Sequence, residues 1–247
     1  MPRFDQDDMQ SHKTLSKFNF SAVDVNSLGA SEYTIVCIVQ DTSSSVSPFK
    51  DDMEKTLKQI LEACKKSPRS ENLLLRLVEF NNNVIELHGF RELRTIDPAE
   101  YDNVLNCRGM TALYDATEDS IEATEAYGKQ LKGHDFLANA IMFVITDGDE
   151  NNSIIVKHPS LIKDSLARIR KNEVLESITT VLIGVGTDQA VLDLLDNFHK
   201  EAGLTQYVKM GDATPTRLAK LADFISKSVS STSQALGTGK PSQPLTF

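Results

Sequence analysis

The feature that most constrains the fold is an apolar run at positions 33–40, which ends at the carboxylate of Asp41. A continuous apolar run of this length is typical of a strand buried on both faces of a parallel sheet. Parallel strands need crossover connections, which are usually helices. The run therefore predicts an α/β fold, in which ligands gather beyond the carboxyl ends of the strands.

The rest of the chain alternates in the same way. Pro48 opens a segment whose apolar residues recur at spacings of three and four, as in an amphipathic helix. Further helices are predicted at 111–131, 160–171, 188–202 and 215–229, and further strands at 73–80, 138–146, 178–185 and 206–210. The Asn-rich turn at 81–83 and the run at 84–87 predict a hairpin to an antiparallel edge strand. The predicted fold class is a doubly wound α/β fold, with a mostly parallel central sheet, one antiparallel edge strand and helices on both faces.

Composition along the chain predicts one domain with an extension at each end. Residues 1–30 are polar with little periodicity and are predicted to form an N-terminal arm, although Phe18 and Phe20 could dock on the body. Residues 31–230 form the predicted domain. Residues 231–247 are rich in Ser, Thr, Gly, Gln and Pro, which predicts a flexible tail.

Charge and cysteine content narrow the function classes. The formal net charge of −9 argues against nucleic-acid and anionic-membrane partners, because both are themselves negative. The three cysteines, Cys37, Cys64 and Cys107, lack the spacing of a zinc site or a disulfide framework. The polar N-terminus does not resemble a signal peptide, and no apolar stretch approaches the roughly 20 residues that span a bilayer. We therefore expect a cytoplasmic protein.

Side chains with hydroxyl or carboxylate oxygens stand at three places where a predicted strand ends or a predicted helix begins. The first strand ends in Asp41, with Ser43 and Ser45 close behind it, Thr111 opens a helix, and Asp147 follows the strand at 138–146. All three segments are expected at one edge of the sheet. Hydroxyl and carboxylate oxygens suit a hard cation such as Mg²⁺, which prefers octahedral oxygen coordination and commonly keeps several waters. The sequence therefore predicts a metal site formed by Asp41, Ser43, Ser45, Thr111 and Asp147.

This pattern resembles the metal-ion-dependent adhesion site of von Willebrand factor A domains. The matching elements are Asp-x-Ser-x-Ser at 41–45, Thr111 within Gly-x-Thr-Ala-Leu-Tyr-Asp, and Asp147 within Thr-Asp-Gly. The resemblance covers roughly residues 33–229, and the stretch at 146–151 resembles stand-alone intracellular bacterial members of the family.

The resemblance implies a role for each residue. Ser43 and Ser45 would ligate the metal directly, and Thr111 would do so either directly or through water. Asp41 and Asp147 would hold waters and orient the hydroxyls. The expected cation is Mg²⁺, with Mn²⁺ and Ca²⁺ as alternatives, and a Glu or Asp of a protein partner would complete the coordination. The implied function is metal-dependent protein binding, as a scaffold or regulatory component of an intracellular assembly, and not catalysis.

Two departures from the family pattern concern the same loops. The glycine pair often found before the threonine is here Gly109-Met110, which predicts a less pliable loop. Asp149 and Glu150 add negative charge beside the site, which could tighten metal binding or repel an acidic ligand.

Other interpretations remain open from the sequence. Asp41, Ser43 and Thr111 could be helix caps, and Asp147-Gly148 could be only a turn. The site could also be vestigial, with binding through another surface. The enzyme alternative is a Mg²⁺-dependent phosphotransferase of the haloacid-dehalogenase type, which also places an Asp at the end of its first strand. Such an enzyme needs a second Asp two positions later as acid and base, where this chain has Ser43.

Overall fold

The computed structural model describes residues 9–15, 18–239 and 245–247. The elements along this part of the chain are β1 (Met9–Lys13), β2 (Asn19–Val23), β3 (Glu32–Asp41), α1 (Lys50–Lys65), β4 (Leu73–Phe80), β5 (Val84–Glu92), α2 (Leu113–Gly133), β6 (Leu137–Thr146), α3 (Pro159–Lys171), β7 (Ile178–Val185), α4 (Gln189–Ala202), β8 (Gln206–Gly211) and α5 (Pro215–Thr238).

The strands form one sheet in the order β1-β2-β5-β4-β3-β6-β7-β8. The five strands from β4 to β8 in this order run parallel to one another, and β5 is antiparallel to β4. The sheet is thus mostly parallel with helical crossovers, which confirms the predicted doubly wound, Rossmann-like α/β fold.

The central strand β3 divides the core into two layers. Ile35, Cys37 and Val39 pack in the cluster that includes the apolar faces of α2, α3 and α4. Val36 and Ile38 point the other way, into the cluster with α1 and α5. Because successive side chains of a strand face opposite sides, an uninterrupted apolar run serves two helical layers at once. This explains why β3 lacks the alternation of a half-exposed strand.

The edge beyond β5 differs from the sequence prediction, in which β5 was the edge strand. Within the residues assigned to the N-terminal arm, β2 lies parallel to β5, and β1 lies antiparallel to β2. Phe20 and Ala22 are buried, and the Ser21 amide and hydroxyl both donate to the Glu86 carboxylate, at 2.9 and 2.6 Å. The pairing of β2 with β5 therefore depends on tertiary contacts, which cannot be recognised from the sequence of a short polar segment. Residues 1–8, 16 and 17 of the predicted arm lie outside the described residues.

Gly89 permits the close approach of β2 to β5. A Cβ atom at this position would lie 1.9 Å from the carbonyl oxygen of Ser21, so only glycine fits without backbone movement. Strand β5 continues through this glycine to Glu92, past its predicted end at residue 87. A glycine inside a strand often marks such a backbone contact.

The last helix continues beyond its predicted end at residue 229, so the predicted tail at 231–247 begins as helix. Thr232 and Ser233 are buried, and they bind Asn139 Nδ2 and Arg69 Nε at 2.8 and 3.0 Å. This polar packing leaves no apolar periodicity in the sequence. The helix ends at Gly239, whose φ of +66° suits a left-handed cap. Residues 240–244 of the predicted tail lie outside the described residues.

Within residues 9–15, 18–239 and 245–247, no helix combines the length and apolar character needed to cross a lipid bilayer.

Candidate metal site

The first segment of the site begins where β3 ends at Asp41, which is fully buried. One oxygen of its carboxylate accepts a hydrogen bond of 2.7 Å from the Ser43 amide. The other accepts a hydrogen bond of 2.5 Å from Thr146 Oγ1, at the end of the neighbouring strand β6. Asp41 therefore holds its own loop and ties it to β6.

The two serines of this segment do not act as helix caps. A 3₁₀ turn at Ser44–Phe49 precedes α1, which therefore begins at Lys50 and not at Pro48. Ser43 occupies the N-cap position of that turn without a side-chain capping hydrogen bond. Its hydroxyl lies instead 3.0 Å from the hydroxyl of Ser45. The structure thus contradicts the capping interpretation for Ser43 and leaves the two hydroxyls side by side.

Asp147 approaches these hydroxyls from the end of β6. Ser45 Oγ donates a hydrogen bond of 2.8 Å to Asp147 Oδ1, across 102 positions of sequence. Ser43, Ser45 and Asp147 thus present a continuous row of oxygens. Asp41 is joined to this row by the hydrogen bond that it accepts from the Ser43 amide.

Thr111 lies beside the segment that carries Asp147. A Cβ atom on Gly148 would lie 3.3 Å from Thr111 Oγ1, so this hydroxyl faces the backbone next to Asp147. Thr111 is buried and precedes α2 without capping it, because the N-cap position is Ala112 and no side chain bonds there. The structure therefore brings all five predicted residues to one edge of the sheet.

The donor set fits a hard divalent cation. Adjacent ligands of an octahedral Mg²⁺ at about 2.1 Å are about 3 Å apart. The oxygen separation of 3.0 Å between Ser43 and Ser45 matches this spacing, and Asp147 Oδ1 lies 2.8 Å from Ser45 Oγ, where it can orient that hydroxyl. Among the described residues, no group of three or more His, Cys, Asp and Glu side chains is placed to hold a metal. A cation at this edge would thus depend on hydroxyl oxygens, which suit Mg²⁺ better than soft metals.

The carboxylates of the site are costly to keep charged. Burial raises the pKa of Asp41 to about 6, against the opposing effect of its hydrogen bonds, and the negative charge of Asp147 adds to the rise. Burial also raises the pKa of Asp147, although its hydrogen bond from Ser45 opposes this. A cation close to these groups would favour their charged forms.

The neighbouring residues Glu150 and Cys107 have other roles. The Glu150 carboxylate accepts hydrogen bonds from the amides of Tyr114, Asn152 and Ser153, at 2.8, 2.7 and 2.6 Å. It therefore organises the loop after β6. Burial raises the pKa of the Cys107 thiol to about 11, which keeps this group protonated near neutral pH.

Several residues that complete the site were missed in the sequence. The sequence marks Thr146 only as the last residue of a strand, and Asn81 and Asn82 only as turn residues. Asn151 accepts a hydrogen bond of 2.8 Å from the Thr111 amide. The adjacency of Thr146 to Asp147 was the one local signal, because a hydroxyl at a strand end faces the same edge as the predicted ligands.

A groove of about 480 Å³ opens beside Asp147, between the loops that follow β7 and β8. Phe49, Val185 and Val191 provide apolar lining, and Asp188 and Asp212 add carboxylates. A segment that reached the row of oxygens would have space to continue into this groove.

No protein-family model matches the sequence. The curated proteins also contain no match. Several solved structures have a similar fold. The PilB minor pilin from Streptococcus sanguinis has a TM-score of 0.59 at 17% identity, over 86% of this chain and 64% of the pilin. Proximal thread matrix protein 1 from the mussel byssus has a TM-score of 0.52 at 20% identity, over 81% of this chain and 47% of that protein.

A third similar structure is the pilus adhesin SpaC from Lactobacillus rhamnosus GG. Its TM-score is 0.55 at 10% identity, over 82% of this chain and 30% of the adhesin. The chain thus spans less than two thirds of each of these three proteins. At these identities, the similarity concerns the fold.

Proposed function

We propose that this chain binds a divalent cation, with Mg²⁺ as the expected ion, and through it an acidic side chain of a protein partner. Ser43, Ser45 and Thr111 would hold the cation, and Asp41 and Asp147 would orient these hydroxyls and bound waters. A Glu or Asp of the partner would complete the coordination. The observation that carries the proposal is the row of oxygens from Ser43 through Ser45 to Asp147, at separations of 3.0 and 2.8 Å.

Within this proposal, the chain is a von Willebrand factor A domain with a metal-ion-dependent adhesion site. Support comes from the order of the five residues along the chain and from their position at one sheet edge. The solved structures show similarity of fold alone, so the family assignment depends on the site residues. Mn²⁺ and Ca²⁺ are the alternative ions.

Binding is favoured over catalysis by the surroundings of Asp41. In the phosphotransferase alternative, this residue would be the nucleophile and would need to reach a substrate. Here Asp41 has no solvent exposure, and both of its oxygens accept hydrogen bonds, from Ser43 and Thr146. Such an environment suits a positioning role.

We also propose an intracellular setting, in which the chain is a scaffold or regulatory component of an assembly. The support is that Cys37, Cys64 and Cys107 are all free thiols, as is common in a reducing compartment. The net charge of −9 favours a protein partner over nucleic acid or an anionic membrane.

Calorimetric titration with Mg²⁺ and Mn²⁺ tests the metal site. Wild-type protein should bind one ion, and Ser43→Ala should weaken binding about tenfold or more, because a direct oxygen ligand is lost. Ser44→Ala is the matched control, since this residue lies between the two ligands in sequence and is exposed like Ser45, but is not one of the proposed ligands. Flat titrations of the wild type with both ions would refute the metal proposal.

A pull-down with mass spectrometry tests the partner. A protein captured in Mg²⁺ should be lost in EDTA and lost with Asp147→Ala, and it should be retained by Ser44→Ala. Equal capture of the protein in Mg²⁺ and in EDTA would contradict metal-dependent binding. A phosphatase assay with Mg²⁺ addresses the enzyme alternative, because turnover that disappears in Asp41→Asn would favour catalysis.

A further inference from the structure

The turn between β4 and β5 consists of Asn81, Asn82 and Asn83, and it lies at the same sheet edge as the proposed metal site. The Asn83 amide donates to the Asn81 side chain at 3.2 Å, and the Asn81 amide donates to the Asn83 carbonyl at 3.0 Å. These bonds make the turn compact. Its remaining polar groups are therefore free to face the neighbouring loops.

Two of these groups hold the backbone on both sides of Thr111. The Met110 amide donates a hydrogen bond of 2.9 Å to Asn82 Oδ1. The Ala112 amide donates a hydrogen bond of 2.8 Å to the Asn81 carbonyl. The residue that carries the threonine hydroxyl is thus fixed by its two neighbours along the chain.

The same turn also reaches the other two segments of the site. Asn152 Nδ2 donates a hydrogen bond of 3.0 Å to the Asn82 carbonyl, which joins the loop after β6. Asn81 Nδ2 donates a longer bond of 3.4 Å to Thr42 Oγ1, which joins the loop after β3. Three segments that are distant in sequence therefore share contacts with one short turn.

Gly109 provides the space for this arrangement. Its φ of +73° is unfavourable for other residues, and a Cβ atom there would lie 1.7 Å from Asn82 Oδ1. The Gly109 carbonyl also accepts a hydrogen bond of 3.1 Å from the Ser44 amide. The loop is therefore built to bring the Asn82 side chain against its backbone.

We propose that Asn82 is a positioning residue of the metal site, which fixes the Thr111 loop where its hydroxyl can join the serine hydroxyls. A hairpin turn alone needs no side-chain acceptor for Met110. The use of an amide oxygen at this point links the hairpin to the ligand loop. The inference rests on the proposed function, because metal affinity is one of its two readouts.

The first readout is amide hydrogen exchange in metal-free protein. Asn82→Ala removes the acceptor of the Met110 amide, so exchange at residues 109–112 should become about five- to tenfold faster. Asn82→Asp keeps an acceptor oxygen in place and should exchange as the wild type does. Asn83→Ala is the matched control, because this exposed residue contributes to the turn through its backbone.

The second readout is the affinity for Mn²⁺ by calorimetry, compared with the temperature of unfolding. Asn82→Ala should weaken Mn²⁺ binding about tenfold, as for other residues that orient metal ligands. Its unfolding temperature should match that of Asn83→Ala, because the effect is local. A merely structural role of Asn82 would lower the unfolding temperature of Asn82→Ala below that of Asn83→Ala and leave exchange near Thr111 unchanged.

The outcomes separate this inference from the proposed function. If wild-type protein binds no metal, the proposed function fails, and the exchange comparison still decides the role of Asn82. Wild-type exchange at residues 109–112 in Asn82→Ala would overturn the inference, as would unchanged Mn²⁺ affinity in a protein that binds the ion. Fast exchange in Asn82→Ala together with slow exchange in Asn82→Asp would support it.

Discussion

Thr146 Oγ1 donates a hydrogen bond of 2.5 Å to Asp41 Oδ2, and this bond joins the ends of two adjacent parallel strands. The strands β3 and β6 pair up to Gln40 and Ile145, immediately before these residues. The Thr146 hydroxyl also accepts a hydrogen bond of 3.1 Å from the Gly148 amide, in the loop that carries Asp147. One buried hydroxyl therefore connects Asp41 to the loop that carries Asp147.

Replacing this hydroxyl should weaken both the fold and the site. Thr146→Val keeps the shape of the side chain but leaves the buried Asp41 carboxylate short of a donor, which should cost about 1–3 kcal/mol of unfolding free energy. Metal affinity should fall about tenfold, because Asp41 no longer holds its loop in place. Urea unfolding and calorimetric titration measure the two effects. Thr146→Ser retains the hydroxyl and should lie close to wild type, whereas equal losses in both variants would contradict the role of the hydrogen bond.

Metal binding should stabilise the folded protein. An ion that binds only the native state at a concentration 100 times its Kd raises the unfolding free energy by about 2.7 kcal/mol. Thermal or urea unfolding with Mg²⁺ and with EDTA should show this difference for wild type. It should also appear for Ser44→Ala and be largely lost in Ser45→Ala, which removes the central oxygen of the row. A difference of the same size in Ser45→Ala would place the ion elsewhere.

A buried charge network links the N-terminal strands to the sheet and to α2. Arg76, with 1% of its side chain exposed, donates to Glu86 at 2.7 Å and to Asp119 at 3.0 Å. Arg76→Met should destabilise the protein by about 3–5 kcal/mol, because it leaves two buried carboxylates without their cation. Urea unfolding measures the loss.

Two further variants check the origin of that loss. Replacing Arg76, Glu86 and Asp119 together with apolar residues of similar size should recover much of the stability, since no uncompensated charge remains. Arg94→Met breaks the ion pair between an exposed arginine and Glu92, and it should leave the unfolding free energy close to that of wild type. A loss in the triple variant as large as in Arg76→Met would argue for packing over charge.

The buried His88 should make stability depend on pH. Its Nδ1–H donates to the Gly89 carbonyl at 2.9 Å, and its Nε2 lies 2.8 Å from the Tyr101 hydroxyl, which suits the neutral ring. Burial lowers the pKa of His88 to about 4 from 6.5, and the nearby charge of Arg91 acts in the same direction. Between pH 4 and pH 6.5 the unfolded state binds more protons at this residue than the folded state does. The contribution of neutral His88 to the unfolding free energy is therefore complete above pH 6.5 and decreases as the pH falls towards 4.

The full effect of His88 should amount to about 3 kcal/mol. Urea unfolding between pH 4 and pH 8 measures it, as the difference between wild type and His88→Gln, which cannot titrate there. Other groups act in both proteins and cancel in that difference. Glu118 is one of them, because burial raises its pKa to about 7 and so reduces stability as the pH rises. Parallel pH profiles for the two proteins would contradict the assignment to His88.

Much of the fold was predictable from local patterns. The apolar strands around Val36 and Phe143 are buried on both faces, so their sequences carry a continuous signal. The strands β4 and β7 have the predicted bounds, at Leu73–Phe80 and Ile178–Val185. The N-terminal strand β2 and the end of α5 were not predicted. Ser21, Thr232 and Ser233 pack through polar contacts, which leave no apolar periodicity in the sequence.

The sequence by itself determined which oxygen-bearing residues stand at the strand ends, because that position follows from element order in a parallel sheet. It could not determine that the Ser45 hydroxyl meets Asp147, or that Asn82 holds the amide of Met110. These contacts join segments that are far apart in the chain, and they depend on strand register and on loop conformations. Only the tertiary structure decided these contacts, since the sequence around a backbone amide or a turn asparagine does not indicate which distant group it will bind.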